Sequence, residues 1–161
     1  MGDYVHGIIN ISDTCQDDTV VGYALSLERT FDANRIPYLD GLNQVINAAT
    51  DRGRSVAELN YIIMGQVCIA RKFRGQGVFA SLYHAMRRGL QDQFDCVVTA
   101  VCSRNPRSLR AHAKVGFVTV HQYHAHGHDW HIVLWDWKTC QPNASFDDTN
   151  EGGGGGDCYL E

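Results

Sequence analysis

Nowhere in its 161 residues does the chain have a run of 18 or more apolar residues, so no helix of it is built to span a membrane. The opening MGDYVHGIINIS lacks a basic head followed by a long apolar stretch, which argues against a secretory leader. Cysteines 15, 68, 96, 102, 140 and 158 form no C-x-x-C pair, and Cys68 and Cys96 sit inside apolar runs. They read as reduced thiols of a cytoplasmic chain, with room for a single disulfide. No basic residue follows Lys138, whereas Asp147, Asp148, Glu151, Asp157 and Glu161 do. The net charge of -4 therefore hides an asymmetry, because Arg71 to Lys114 carries nine basic residues against Asp92 and Asp95. A broad basic footprint with exposed aromatics is missing, so a compact polyanion fits this segment better than nucleic acid does.

What is present is one domain's worth of patterned sequence, at an apolar fraction of 44% that is ordinary for a globular chain. Tyr4 to Ile11 and Thr19 to Leu27 read as an antiparallel strand pair. Leu39, Leu42, Val45, Ile46 and Ala49 fall on one helical stripe, and Gly53 interrupts before a short segment. Leu59 to Ala70 is a long extended run rich in branched residues. Helical spacing then returns at Val78, Phe79, Leu82, Tyr83, Met86 and Leu90. Asp95 to Val101 is a buried strand candidate, and Pro106 suits the first turn of a helix capped by Ser103 or Asn105 and stopped at Gly116. Phe117 to Tyr123 and Trp130 to Trp137 close the domain as a strand pair. Alternating strands and helices in the middle imply a partly parallel sheet covered by helices. The domain is expected over 1–138, with 139–161 an acidic, glycine-rich tail without periodicity.

The chemistry concentrates at RGQGVF, residues 74–79, where a strand gives way to a helix. The first N–H groups of a helix have no intrahelical partner, and glycines let a backbone approach a ligand closely. Such groups converge well on a pyrophosphate, with Arg71, Lys72 and Arg74 adding charge at the rim. The stretch is neither a P-loop, lacking G-x-x-x-x-G-K-[ST], nor a Rossmann fingerprint, lacking the third glycine. By itself it reads equally well as a solvated turn.

A second stretch, CSRNPRSLRAHAKVGFV at 102–118, repeats the sequence strand end, cap, helix, glycine, strand. Together the two resemble the GCN5-related N-acetyltransferase (GNAT) superfamily, whose signature is R-x-x-G-x-G/A followed about thirty residues later by N-x-x-[SA]-x-x-x-Y-x-x-x-G-F. Arg74 and Gly77 match the first motif, with Phe79 in place of the usual glycine or alanine. Asn105, Ser108, Gly116 and Phe117 match the second, with His112 in place of tyrosine. The likeness covers Val20 to Trp137.

The resemblance implies a mixed α/β (α+β) fold: a mostly antiparallel sheet with two central, splayed parallel strands, flanked by helices. It implies acetyl-CoA as donor and a small-molecule or peptide amine as acceptor. Backbone groups at Val67 and Ile69 would pair with the pantetheine arm. The N–H groups of Gly75, Gln76, Gly77, Val78 and Phe79, beside Arg74, would hold the pyrophosphate. Asn105, with Ser108 in the same motif, stands where the family contacts the arm; a helix cap is the plainer role for Asn105, and the two are compatible. His112 is either the proton donor to the departing thiolate or a packing, hydrogen-bonding histidine. Glu58 is the first candidate for general base and Glu28 the second, each also readable as surface charge. Cys68 is a weaker idea for a nucleophile, having no partner base.

His124, His126 and His128 alternate in YHAHGHDWH, but a loop between two strands accounts for them without a metal. The resemblance also leaves a front strand and two helices unmatched. The wall they form would be absent, replaced through the Leu39 to Gly53 insertion, or supplied by a partner chain, as in a homodimer. An impaired CoA-binding or protein-interaction module is the alternative class.

Overall fold

A computed structural model describes residues 5–6, 20–29, 38–139 and 159–160. In chain order the elements are β1 (Val5–His6), β2 (Gly22–Glu28), α1 (Tyr38–Asn47), β3 (Thr50–Asp51), β4 (Arg54–Ser55) and β5 (Tyr61–Ile69). Then come α2 (Val78–Leu90), β6 (Cys96–Cys102), α3 (Pro106–Val115), β7 (Val118–Ala125), β8 (His128–Asp136) and β9 (Tyr159–Leu160). The main sheet runs β1-β2-β5-β6-β8-β7, with β9 added beside β5. Among the described residues only β5 and β6 pair in parallel; every other pair is antiparallel. The mixed, mostly antiparallel sheet with a central parallel pair and flanking helices is the expected fold class.

Both faces of the sheet are covered. On one, α2 and α3 pack Leu82, Tyr83, Met86 and Val115 against Ile62, Met64, Val67, Val97, Val133 and Trp135. On the other, Leu42 and Ile46 of α1 pack against Tyr61, Ile63, Val98, Ile132 and Leu134. The parity of β5 changes between these lists. Even-numbered Ile62 and Met64 face α2, and beyond them odd-numbered Val67 and Ile69 do. Strand side chains alternate with period two, so a parity change needs one extra residue. That residue is Gly65: β2 pairs Leu25 with Gln66 and Ser26 with Met64, passing over it in a bulge.

Small turns are built as their residues require. Arg52 and Gly53 join β3 to β4 with positive φ at both positions, and His126 and Gly127 do the same between β7 and β8. At the far end of α3, Gly116 has φ 119°, and a Cβ there would lie 2.9 Å from Trp135 Nε1. The glycine stop is therefore a packing requirement as well as a conformational one.

The 139–161 segment differs in part from the expected unstructured tail, since Tyr159–Leu160 forms β9. Residues 140–158 and 161, and all but Val5–His6 of the strand expected over Tyr4 to Ile11, lie outside the described residues.

Where β8 ends, Asp136 is 5% exposed and bonded on every side. Its carboxylate accepts from Arg54 at 3.0 Å, from the Thr139 hydroxyl at 2.7 Å and from the N–H groups of Lys138 and Thr139 at 2.8 and 3.1 Å. Burial alone would push this carboxyl up, but the Thr139 and Lys138 bonds and the guanidinium outweigh it and hold it below the usual range. A carboxyl lowered on folding stabilises the fold above its unfolded pKa, about 3.9, and loses that contribution as pH falls through the folded value. Asp136→Asn is thus expected to cost about 2 kcal/mol at neutral pH, with the difference vanishing in acid below the ordinary carboxylate range. Urea unfolding of both proteins across pH tests this; a gap that persists in acid rules it out.

Candidate functional site

The site forms where β5 and β6 part. Their parallel pairing covers only Tyr61–Ile63 against Cys96–Val98. The Thr99 hydroxyl then donates to the Met64 carbonyl at 2.9 Å, both residues being buried. One residue further on comes the Gly65 bulge, and a bulge bends and twists its strand. The C-terminal half of β5 thereby acquires an edge that β6 does not pair. Thr99 and Gly65 were not among the residues picked from sequence. An isolated glycine inside a strand pattern is the signal that points to such a bulge.

The edge leads into the cradle. After Ile69 the chain makes a short turn, Arg71–Phe73, and Arg74 folds back so that its Nε donates to the Ile69 carbonyl at 2.9 Å. Gln76 donates from its side chain to the Lys72 carbonyl at 2.9 Å. Gly75 and Gly77 have φ of 74° and 77°, the left-handed region, and Gly77 is the N-cap of α2. Ser81 N–H donates to Gly77 O at 3.0 Å, which leaves the N–H groups before it in the position of all helix-start donors. A Cβ built on Gly75 or Gly77 would meet nothing within 4 Å. The two glycines are thus required by conformation, and the space above them is open to a ligand. An anionic group approaching the start of α2 fits these residues.

Phe79 does not crowd that space. It is half-buried and packs edge-on against Tyr83 and His112, at centroid distances of 5.1 and 5.0 Å. The departure from a small residue is absorbed by the core, and the backbone of the cradle is unaffected.

His112 lies in the same aromatic cluster, fully buried. Its Nδ1 is 2.9 Å from the Ser108 carbonyl, and its Nε2 is 2.7 Å from the Tyr83 hydroxyl. The carbonyl can only accept, so Nδ1 carries the proton and Nε2 accepts from Tyr83. Phe117 adds a perpendicular face at 4.9 Å. The ring is thus enclosed, with both nitrogens within hydrogen-bond distance of neighbouring groups. Ser108 is buried beside it and is held within α3.

Asn105 caps α3, its Oδ1 accepting from Ser108 N–H at 3.1 Å while its own N–H donates to Cys102 O at 2.8 Å. It stands just past the C-terminal end of β6, across the splay from β5. Its side-chain amide nitrogen has no partner among the described residues.

Glu58 is exposed and ends the short turn Val56–Glu58, ahead of β5. Glu28 ends β2 opposite Ile62. Both lie toward the N-terminal end of β5. Neither carboxylate joins the cradle. Of the cysteines, Cys68, Cys96 and Cys102 are free thiols, and burial together with Asp136 and Asp95 pushes Cys96 up to about 12. In the histidine loop, His124 Nδ1 lies 2.8 Å from Asp129 Oδ1, and among the described residues no three metal-ligating side chains converge.

No family model matches the chain, and no curated protein sequence does. Solved structures do. A GNAT-family acetyltransferase from Streptococcus agalactiae superposes with a TM-score of 0.56 at 14% identity, covering 77% of this chain and 63% of that one. An N-acetyltransferase from Staphylococcus aureus gives 0.54 at 13%, covering 76% and 67%. Arabidopsis thaliana NAA60, solved with acetyl-CoA, gives 0.51 at 12%, covering 78% and 71%. The fold is that of the GNAT acetyltransferases. The chain spans about two thirds of the length of these GNAT structures. Among the described residues no helix is long and apolar enough to cross a membrane.

Proposed function

We propose that this GNAT-fold chain is an acetyl-CoA-dependent N-acetyltransferase acting on a primary amine. One observation carries the reading: a strand edge released at the Gly65 bulge runs directly into a helix start held open by two left-handed glycines. An acyl donor with an amide-bearing arm and a pyrophosphate matches those two features in that order. Backbone groups at Val67 and Ile69 would pair with the arm, and the N–H groups from Gly75 to Phe79 would hold the pyrophosphate beside Arg74. Asn105 would reach the arm from the β6 side with its amide nitrogen, its oxygen being committed to the cap. Each bond to the charged group is worth roughly 1.5–3 kcal/mol, so a few suffice for anchoring. Acetyl-CoA supplies the activated thioester. The residues around the splay would orient it toward an amine that forms the C–N bond as the C–S bond breaks.

A second reading, donor binding without efficient transfer, is favoured by the burial of His112. Calorimetric titration with acetyl-CoA, followed by a thiol-release screen over amine acceptors, separates the two. Saturable binding with acceptor-dependent thiol release supports the transferase; binding without release supports the second reading. No binding to a folded chain excludes both.

A further inference from the structure

The strand edge that the proposed donor would use carries a partner from the chain itself. β9 pairs antiparallel with β5, Leu160 opposite Gln66 and Tyr159 opposite Val67. On its other side β5 pairs with β2 through the same residues, Leu25 with Gln66 and Ala24 with Val67. β9 therefore sits on the face of the strand that β6 leaves at the splay. We infer that the Tyr159–Leu160 segment is a built-in competitor of the acyl donor, a short strand that plugs the pantetheine edge. This rests on the donor reading of that edge given above.

The competition follows from the chemistry of a sheet edge. One edge offers a single row of N–H and C=O groups, and one extended partner at a time can satisfy them. An amide-bearing arm and a peptide strand present the same alternating donors and acceptors, so the two are interchangeable there. Reach is no obstacle. The 22 residues between Asp136 and Tyr159 could extend to about 70 Å, far more than the two strand spacings and few residues separating the end of β8 from Val67. Charge favours this occupant as well. Asp157 and Glu161 flank the pair in sequence, while Arg71, Lys72 and Arg74 follow the edge on the β5 side. Because the strands are antiparallel, Tyr159 lies nearer to those cations than Leu160 does.

A tethered competitor lowers apparent donor affinity by the fraction of molecules in which the edge is free. Proline lacks the N–H a strand pair needs, so the full-length chain carrying Tyr159→Pro and Leu160→Pro releases the plug without shortening the protein. Its acetyl-CoA dissociation constant is expected to fall by about threefold to tenfold. A synthetic peptide of residues 157–161, added to that variant, is expected to raise it again competitively. Amide exchange at Val67 without any ligand is expected to be faster in the variant, whereas Gln66, whose N–H faces β2, is an internal control. Equal donor affinity in parent and variant overturns the competition and leaves the donor site standing. No donor binding to either chain overturns the donor site and the competition together. Unchanged exchange at Val67 overturns the plug itself, whatever the donor does.

Discussion

Gly77→Val is expected to weaken acetyl-CoA binding by about a hundredfold or more. At φ 77° a side chain with a Cβ is strained by roughly 1–2 kcal/mol, and a β-branched one is worse. Nothing in the protein stands within 4 Å of the added Cβ, so no steric clash within the fold forces a wider collapse. The residue relieves its strain by rotating the backbone at the N-cap of α2, and that turns the donors at the helix start. Losing two bonds to a charged acceptor costs about 3 kcal/mol or more, which corresponds to a hundredfold in affinity. Gly77→Asn is the companion variant, because asparagine tolerates the left-handed region. It is expected to keep stability within about 1 kcal/mol of the parent and to lose affinity less severely. Calorimetric titration beside thermal unfolding separates the two effects. Parent-like affinity in a folded Gly77→Val chain would mean that the pyrophosphate is held elsewhere.

The parts of this site that were legible in sequence are those that local chemistry dictates. RGQGVF could be read because positive φ demands glycine, and the Asn105 cap because Pro106 marks a first helical position. The bulge was harder: Tyr61 to Ile69 is apolar on both faces, so alternation is hidden, and only the parity of its buried contacts exposes the extra residue at Gly65. β9 was not legible at all. Two residues carry no period, and what fixes them is an edge supplied by a strand some ninety residues earlier. Glu58 has no local signature of this kind: what singles it out is its place in the order of elements, at the end of the turn ahead of β5.

His112 tests how far a family position can be read from its type. His112→Ala is expected to cost about 3 kcal/mol, a fall in melting temperature of roughly 6–12 °C for a domain of this size. The loss combines a cavity among Phe79, Tyr83 and Phe117 with removal of the acceptor that His112 offers the Tyr83 hydroxyl and of the donor it offers Ser108. His112→Gln keeps a long polar side chain able to accept from Tyr83, and is expected to recover about half of that stability. If the ring serves packing, the folded Gln variant turns over within about threefold of the parent with an unshifted pH profile, because no transferred proton passes through it. If instead the histidine protonates the leaving thiolate, the Gln variant loses about a hundredfold or more in kcat at modest cost in stability, and a limb of the profile disappears with it. A fully buried ring with both nitrogens engaged favours the first outcome.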